Sequence, residues 1–114
     1  AVKLQKRAAR IGFDFPDWHD ALAKTHEESL EVVRSVADGP DATADEVGDL
    51  LFAAINLARK LDVDPDAALT AANAKFERRF RAMETALRDA GQDPSTAGLD
   101  AQEAAWVAAK KQET

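Results

Sequence analysis

The chain has 114 residues, of which 46% are apolar and 32% charged, and its formal net charge is −6. This size and balance fit one globular domain with a modest core. The negative charge disfavours nucleic acid as a partner, and the absence of cysteine excludes disulfides, thiol catalysis and zinc–thiolate sites. Because there is no apolar run of membrane length and no hydrophobic signal segment, we expect a soluble, cytoplasmic protein without a membrane partner.

Helix start and stop signals recur along the chain, whereas alternating β-branched runs are absent. The segment "VKLQKRAAR" predicts a short amphipathic helix that ends at Gly12. Asp17 is the expected N-cap of a second helix, which runs to about Asp38. We therefore predict an all-α protein with four to five helices.

The third predicted helix starts from a T-x-x-E pattern. Thr43 and Glu46 have the spacing of a capping box, which predicts a helix from Ala44 to about Leu61. Its central run, "LLFAAINLA", contains one polar residue, Asn56, and such a helix is expected to be buried on all sides. A partner subunit would cover it, so we expect a dimer or larger assembly; the alternative is a central helix wrapped by its own chain.

Two further helices complete the prediction. Asp64 and Pro65 supply a cap and a favourable first residue for a long helix that runs to about Ala90. After the loop "GQDPSTAG", Asp100 starts a final helix that runs to about Lys111.

Acidic residues are crowded on the second and third helices. Residues three apart share a helix face, so Glu28 pairs with Glu31 and Glu46 pairs with Asp49. Two helices joined by a short turn pack antiparallel and can bring the two pairs together. Only Lys24, one turn before Glu28, is placed to relieve the repulsion between these charges.

Four carboxylates at the edge of a core point to a bound cation. Oxygen ligands without His or Cys suit Mg²⁺, with Mn²⁺ as a possible substitute, and either one or two ions could bind. The alternative interpretation is a solvated acidic face. A di-iron site is disfavoured because it needs Glu-x-x-His on two helices, and His26 is expected to be an ordinary surface residue.

The acidic pattern resembles that of the MazG family. The matching segments are E-E-x-x-E, then E-x-x-D followed by "LLF", then "NAKFERRF" and a terminal Trp-x-x-x-Lys. The likeness covers nearly the whole chain and is greatest to the C-terminal of the two domains of full-length bacterial MazG. Residues 1–114 are therefore expected to form one MazG-like domain, a fragment of a longer chain.

The resemblance implies an all-α nucleoside triphosphate pyrophosphohydrolase, which is a dimer whose helices form a bundle. Such an enzyme uses Mg²⁺ to hydrolyse an NTP or dNTP between the α- and β-phosphates, in nucleotide pool house-cleaning. By motif position, Glu28, Glu31, Glu46 and Asp49 would hold the metal. Glu27 would be the catalytic residue beside them, which orients water or tunes Lys24.

The resemblance also implies substrate contacts outside the acidic cluster. The expected substrate-binding residues are Lys24, Lys75, Arg79, Trp106 and Lys110. Cations would balance the triphosphate, and the tryptophan would stack on the base or, alternatively, anchor the last helix in the core. Four residues of the fourth helix are spaced as core: Phe76, Phe80, Met83 and Leu87.

Two rival functions remain open. One is a module that binds a nucleotide with Mg²⁺, or dimerises, without catalysis. The other is a relative of narrow specificity, such as a dUTPase or a dCTPase. The preferred base, the sugar and the number of metal ions do not follow from the sequence.

Overall fold

Residues 1–113 are described by the computed structural model, and all regular secondary structure among them is helical. The five α-helices are α1 (Val2–Arg10), α2 (Trp18–Ser35), α3 (Pro40–Lys60), α4 (Pro65–Asp89) and α5 (Leu99–Gln112). A 3₁₀ turn (Val36–Asp38) connects α2 to α3. The prediction of an all-α chain is confirmed.

The predicted starts of α2 and α4 are confirmed by their capping interactions. The Oδ1 atom of Asp17 accepts a hydrogen bond from the backbone N–H of His19 at 2.8 Å. Asp64 Oδ1 accepts one from the backbone N–H of Asp66 at 2.9 Å, and Pro65 is the first residue of α4. Both carboxylates therefore satisfy N–H groups that have no partner inside the first turn.

The predicted start of α3 is wrong by one turn. The helix begins at Pro40, which needs no N–H partner, and follows Gly39, whose φ of 102° suits glycine. Thr43 is therefore inside the helix, and its hydroxyl donates to the carbonyl of Gly39 at 3.1 Å instead of capping. Glu46 is consequently free of a capping role and lies on the second turn of α3.

The last helix also begins earlier than predicted. It starts at Leu99, after Gly98 with a φ of 89°, so Asp100 belongs to the first turn and is not the cap. A carboxylate in the first turn still interacts favourably with the helix dipole. The sequence signal therefore located the helix but not its first residue.

The chain divides into two compact units, Ala1–Asp66 and from Ala67 onward. In the first unit, α2 and α3 pack antiparallel, and Ser35 Oγ donates to Thr43 Oγ1 at 3.4 Å beside the turn that joins them. Helix α1 packs on α3, where Gln5 Nε2 donates to the Phe52 carbonyl at 2.9 Å. Helix α3 thus contacts both other helices of its unit.

Small side chains make up much of the buried apolar set, in agreement with the alanine-rich composition. The buried apolar residues are Ala21, Ala53, Met83, Leu87 and Ala109. On α3, Leu51 is 61% and Phe52 42% exposed, so the alternative of a central helix wrapped by its own chain is wrong for these two residues. Within residues 1–113, no helix is both long and apolar enough to cross a membrane.

Candidate active site

Three carboxylates converge where α2 packs against α3. One oxygen each from Glu28, Glu46 and Asp49 lies within 4.8 Å of the other two. Glu28 is buried, Glu46 half-buried and Asp49 exposed, so the cluster extends from the helix interface to the surface. The predicted antiparallel packing of the two helices therefore brings three of the four expected ligands together.

Among the described residues, Lys24 is the cation that forms an ion pair with the cluster. Its Nζ atom lies 3.1 Å from Glu28 Oε1 and 3.5 Å from Oε2 of Glu27, which is exposed. The hydrogen bond to Glu28 raises the pKa of Lys24, so the ammonium stays charged. The predicted pairing of Lys24 with Glu28 is confirmed.

The cluster retains an excess of negative charge. Partial burial raises the pKa of Glu46, and the charges of Asp49 and Glu28 raise it further. These are the effects expected when carboxylates crowd together in a partly desolvated place. A cation at this point would be attracted by the same charges that repel one another.

Glu31, the fourth predicted ligand, has a different partner. Its Oε1 atom accepts a hydrogen bond from Arg34 at 2.8 Å, and it is not among the three residues whose oxygens converge. The expectation that only Lys24 relieves the acidic charge is therefore wrong. The charge of Glu31 nevertheless adds to the effects that raise the pKa of Glu46.

The donor set fits a hard divalent cation. All three converging ligands are carboxylate oxygens, which are the ligands that Mg²⁺ and Mn²⁺ prefer. His26 is exposed and outside the cluster, as predicted for a surface histidine. The described residues therefore offer no Glu-x-x-His pair for a di-iron site.

A cavity of about 500 Å³ adjoins the cluster in the first unit. Lys24, Glu28 and Asp49 form part of its wall, so the cavity and the cluster share residues. Much of the remaining wall is apolar and comes from α1, α3 and the α1–α2 loop: Leu4, Ala8, Phe13, Phe15, Phe52 and Ala53. The volume is in the range of small-molecule sites.

The polar residues of this cavity were missed in the sequence. Arg59 donates from Nε and Nη2 to Asn56 Oδ1 at 3.3 and 2.9 Å, and from Nη1 to Asp14 Oδ2 at 3.1 Å. Asp14 also pairs with Lys60 at 3.3 Å. The bond from Arg59 is the main cause that lowers the pKa of Asp14 to about 2. The signal that could have found this group is Asn56, the single polar residue in "LLFAAINLA".

The second unit holds four of the predicted substrate contacts. Lys75 and Lys110 are exposed, whereas Arg79 is half-buried and its Nε atom lies 2.6 Å from Glu113 Oε2. The ion pair lowers the pKa of Glu113, chiefly through the hydrogen bond from Arg79. Arg79 is therefore engaged with a carboxylate, while the two lysines extend into solvent.

The tryptophan packs against an aromatic neighbour of the same unit. The Trp106 and Phe76 ring centroids are 5.2 Å apart, and Trp106 is half-buried. Met83 and Leu87 are buried as predicted, but the core assignment of Phe76 and Phe80 is wrong, since both are exposed. Of the four residues that helical spacing placed in the core, only the two nearest the end of α4 are therefore buried.

An all-helical chain with a carboxylate cluster between antiparallel helices is thus the class that the fold and the site define. The profile of the MazG nucleotide pyrophosphohydrolase domain matches residues 18–83, which include α2, α3 and most of α4. That match covers more than half of the chain. The chain belongs to the MazG family.

Individual relatives agree with this assignment. The nucleoside triphosphate pyrophosphohydrolase of Escherichia coli K12 is 40% identical over 116 residues, which cover 99% of this chain and 44% of that protein. The nucleoside triphosphate pyrophosphohydrolase/pyrophosphatase MazG of Thermotoga maritima is 40% identical over 91 residues, 80% of this chain and 35% of that protein. The chain thus spans less than half the length of these relatives.

Proposed function

We propose that this domain hydrolyses nucleoside triphosphates, NTP or dNTP, between the α- and β-phosphates to a monophosphate and pyrophosphate. The observation that carries the proposal is the convergence of Glu28, Glu46 and Asp49 beside a cavity of small-molecule size. The names of the relatives support the reaction. In this proposal residues 1–114 are one MazG-like domain of a longer cytoplasmic protein that acts in nucleotide pool house-cleaning.

The proposed cation site uses carboxylates alone. Glu28, Glu46 and Asp49, with Glu31 as a fourth ligand, would hold Mg²⁺ or Mn²⁺. Binding there requires Glu31 to exchange its hydrogen bond with Arg34 for the ion. When bound, the ion supplies positive charge that neutralises the phosphate oxygens.

Residues beside the cluster would align the reacting groups. Glu27 is proposed to orient the attacking water. The water oxygen bonds to the α-phosphorus and releases a proton to solvent, while the bond from that phosphorus to the bridging oxygen breaks. Its Oε2 atom lies 3.5 Å from Lys24 Nζ, so the same carboxylate also holds the lysine ammonium beside the site. Lys24 would contact the phosphates, and pyrophosphate leaves as an anion.

The remaining substrate contacts are proposed from the family resemblance. Lys75, Arg79 and Lys110 would balance triphosphate charge, and Trp106 would offer a face to the base. For Arg79, a phosphate would have to replace the carboxylate of Glu113. This exchange keeps a charge-assisted hydrogen bond on the guanidinium.

A homodimer is proposed as the assembly. The support is the exposed apolar surface of α3, where Leu51 and Phe52 are 61% and 42% exposed. Exposed apolar side chains that lie together on one helix commonly mark a protein–protein interface. A second copy would bury this surface.

Pyrophosphate release from the eight common NTPs and dNTPs with Mg²⁺ tests the proposal. Wild type is expected to form monophosphate and pyrophosphate, whereas Glu46→Gln is expected to be inactive because it removes one charged ligand. Asp41→Asn, an exposed change in the first turn of α3, is the matched control and should retain activity. Tight nucleotide binding by the wild type without products would instead support a binding module.

A further inference from the structure

The cavity wall contains two chemically different kinds of side chain. Glu28 and Asp49 contribute carboxylates, and Phe13 and Phe52 contribute aromatic rings. A nucleotide has the same division, since its phosphates need cations and its base needs an apolar surface. With the phosphates at the carboxylate cluster, the base would contact aromatic side chains of the same wall.

Asn56 lies in this cavity wall in a fixed orientation. Its Oδ1 atom accepts two hydrogen bonds from Arg59, at 2.9 and 3.3 Å. A guanidinium can only donate, so this pair identifies the oxygen of the amide and places the Nδ2 atom at the other end. Arg59 is itself held by Asp14, which accepts from both of its terminal nitrogens.

The Nδ2 group of Asn56 has unused donors. This atom forms no hydrogen bond within the described chain. It is also not one of the fully buried polar atoms that lack a partner. It is therefore not fully buried, and its two N–H groups are available donors beside the cavity that Asn56 lines.

Two other polar side chains of the cavity wall have their acceptor atoms buried or engaged. Gln5 Oε1 lacks a partner among the described residues but is buried, and Gln5 Nε2 donates to the Phe52 carbonyl. The Asp14 carboxylate already accepts from Arg59 and Lys60. Beside these two residues, Asn56 offers a free donor.

We propose that Asn56 Nδ2 donates a hydrogen bond to a carbonyl oxygen of the nucleobase and makes this site select oxo-bearing bases against adenine. Adenine is the one common base without a carbonyl group. This inference depends on the proposed nucleotide substrate but adds which residue reads the base and in which direction. Arg59, which is held by Asp14, acts as a positioning residue because it fixes the orientation of the Asn56 amide.

Inosine and adenosine nucleotides are the matched probes, since they differ in a 6-oxo or 6-amino group. We expect the wild type to favour ITP over ATP in kcat/KM by about tenfold, the effect of one hydrogen bond gained or lost. Titration calorimetry of IMP and AMP without metal should give the same preference in Kd, which makes the result independent of turnover.

Three variants decide the role of the side chain. Asn56→Leu should bring the ITP/ATP ratio close to one, and Asn56→Asp, which can still accept from Arg59, should favour the 6-amino base. Asn73→Asp, the same change at an exposed position of α4, should leave the ratio unchanged. If Asn56→Leu fails to fold, Asn56→Asp still tests the direction of the hydrogen bond.

The outcomes separate this inference from the proposed reaction. Hydrolysis with equal use of ITP and ATP overturns the inference and leaves the reaction standing. The inference is also overturned if Asn56→Leu lowers kcat/KM equally for both bases but differently for ribo- and deoxyribonucleotides. The amide would then contact the sugar. If the protein neither binds nor hydrolyses any nucleotide, both the inference and the proposed reaction are overturned.

Discussion

Replacing Asp14 by Asn tests the ion pairs that Asp14 forms in the cavity wall. The pKa of Asp14 is lowered from 3.8 to about 2, chiefly by the hydrogen bond from Arg59. A shift of this size corresponds to about 2.4 kcal/mol of folding free energy at pH 7. Because the side chain is 21% exposed, solvent screening reduces the expected value to about 1–1.5 kcal/mol.

The pH dependence of this effect follows from its sign. The folded-state pKa lies below the unfolded one, so the stabilisation is complete above about pH 5 and declines as pH falls through about 2. With these two pKa values, roughly half of the effect remains at pH 3 and less than a fifth at pH 2. The free energies of unfolding of wild type and Asp14→Asn should therefore converge in acid.

Urea unfolding at pH 7, 4 and 3 measures this convergence. Asp41→Asn, in the first turn of α3, is the control and should change the free energy of unfolding by less than about 0.5 kcal/mol. A difference between wild type and Asp14→Asn that is the same at pH 7 and pH 3 would refute the assigned ion pair. A loss as small as that of the control at pH 7 would also refute it.

Three further changes test the binding residues, the core and the assembly. Arg79→Met should raise KM for a nucleoside triphosphate more than Arg78→Met in steady-state assays, although both arginines pair with the same carboxylate; equal effects would contradict a phosphate contact. In urea unfolding, Leu87→Ala should cost about 2–5 kcal/mol because the side chain is buried, whereas Leu99→Ala, 67% exposed, should cost less than about 1 kcal/mol. Leu51→Glu should convert a dimer to a monomer in analytical ultracentrifugation, and an unchanged sedimentation coefficient would exclude this part of α3 from the interface.

Local signals in the sequence located the helices well but placed their ends less reliably. Asp17 and Pro65 mark the starts of α2 and α4 because their effects act on the adjoining turn alone. Thr43 failed because the T-x-x-E spacing also occurs inside helices. There, the threonine hydroxyl can bond to the carbonyl four residues earlier, as it does to Gly39.

The acidic part of the candidate site was predictable because its geometry is short-range in sequence. Glu28 lies on one helix and Glu46 and Asp49 on the next, and one turn connects the two helices. The pairing of Arg34 with Glu31 was missed although it is equally local, since a side chain three residues away can choose among several partners.

The cavity could not be predicted in the same way. Its ion pair joins Asp14 and Arg59, which are 45 residues apart, and no local pattern fixes which loop side chain meets which helix position. The exposure of Phe76 was also unpredictable from spacing. Helical period identifies the apolar face of α4 but not whether another element covers it.

Charge balance links the acidic cluster to the cations near it. Among the described residues, the three converging carboxylates pair with one ammonium, Lys24, which also pairs with Glu27. At least two of their negative charges are therefore uncompensated, and a divalent cation would neutralise them. A triphosphate bound to that ion would add negative charge again, and cations outside the cluster would then have to compensate it. Lys24 cannot serve fully in both roles, because it pairs with Glu28 in the free chain. An ion on Glu28 would weaken that pair and leave the ammonium available to the phosphates, so cation and nucleotide should each bind more tightly when the other is present.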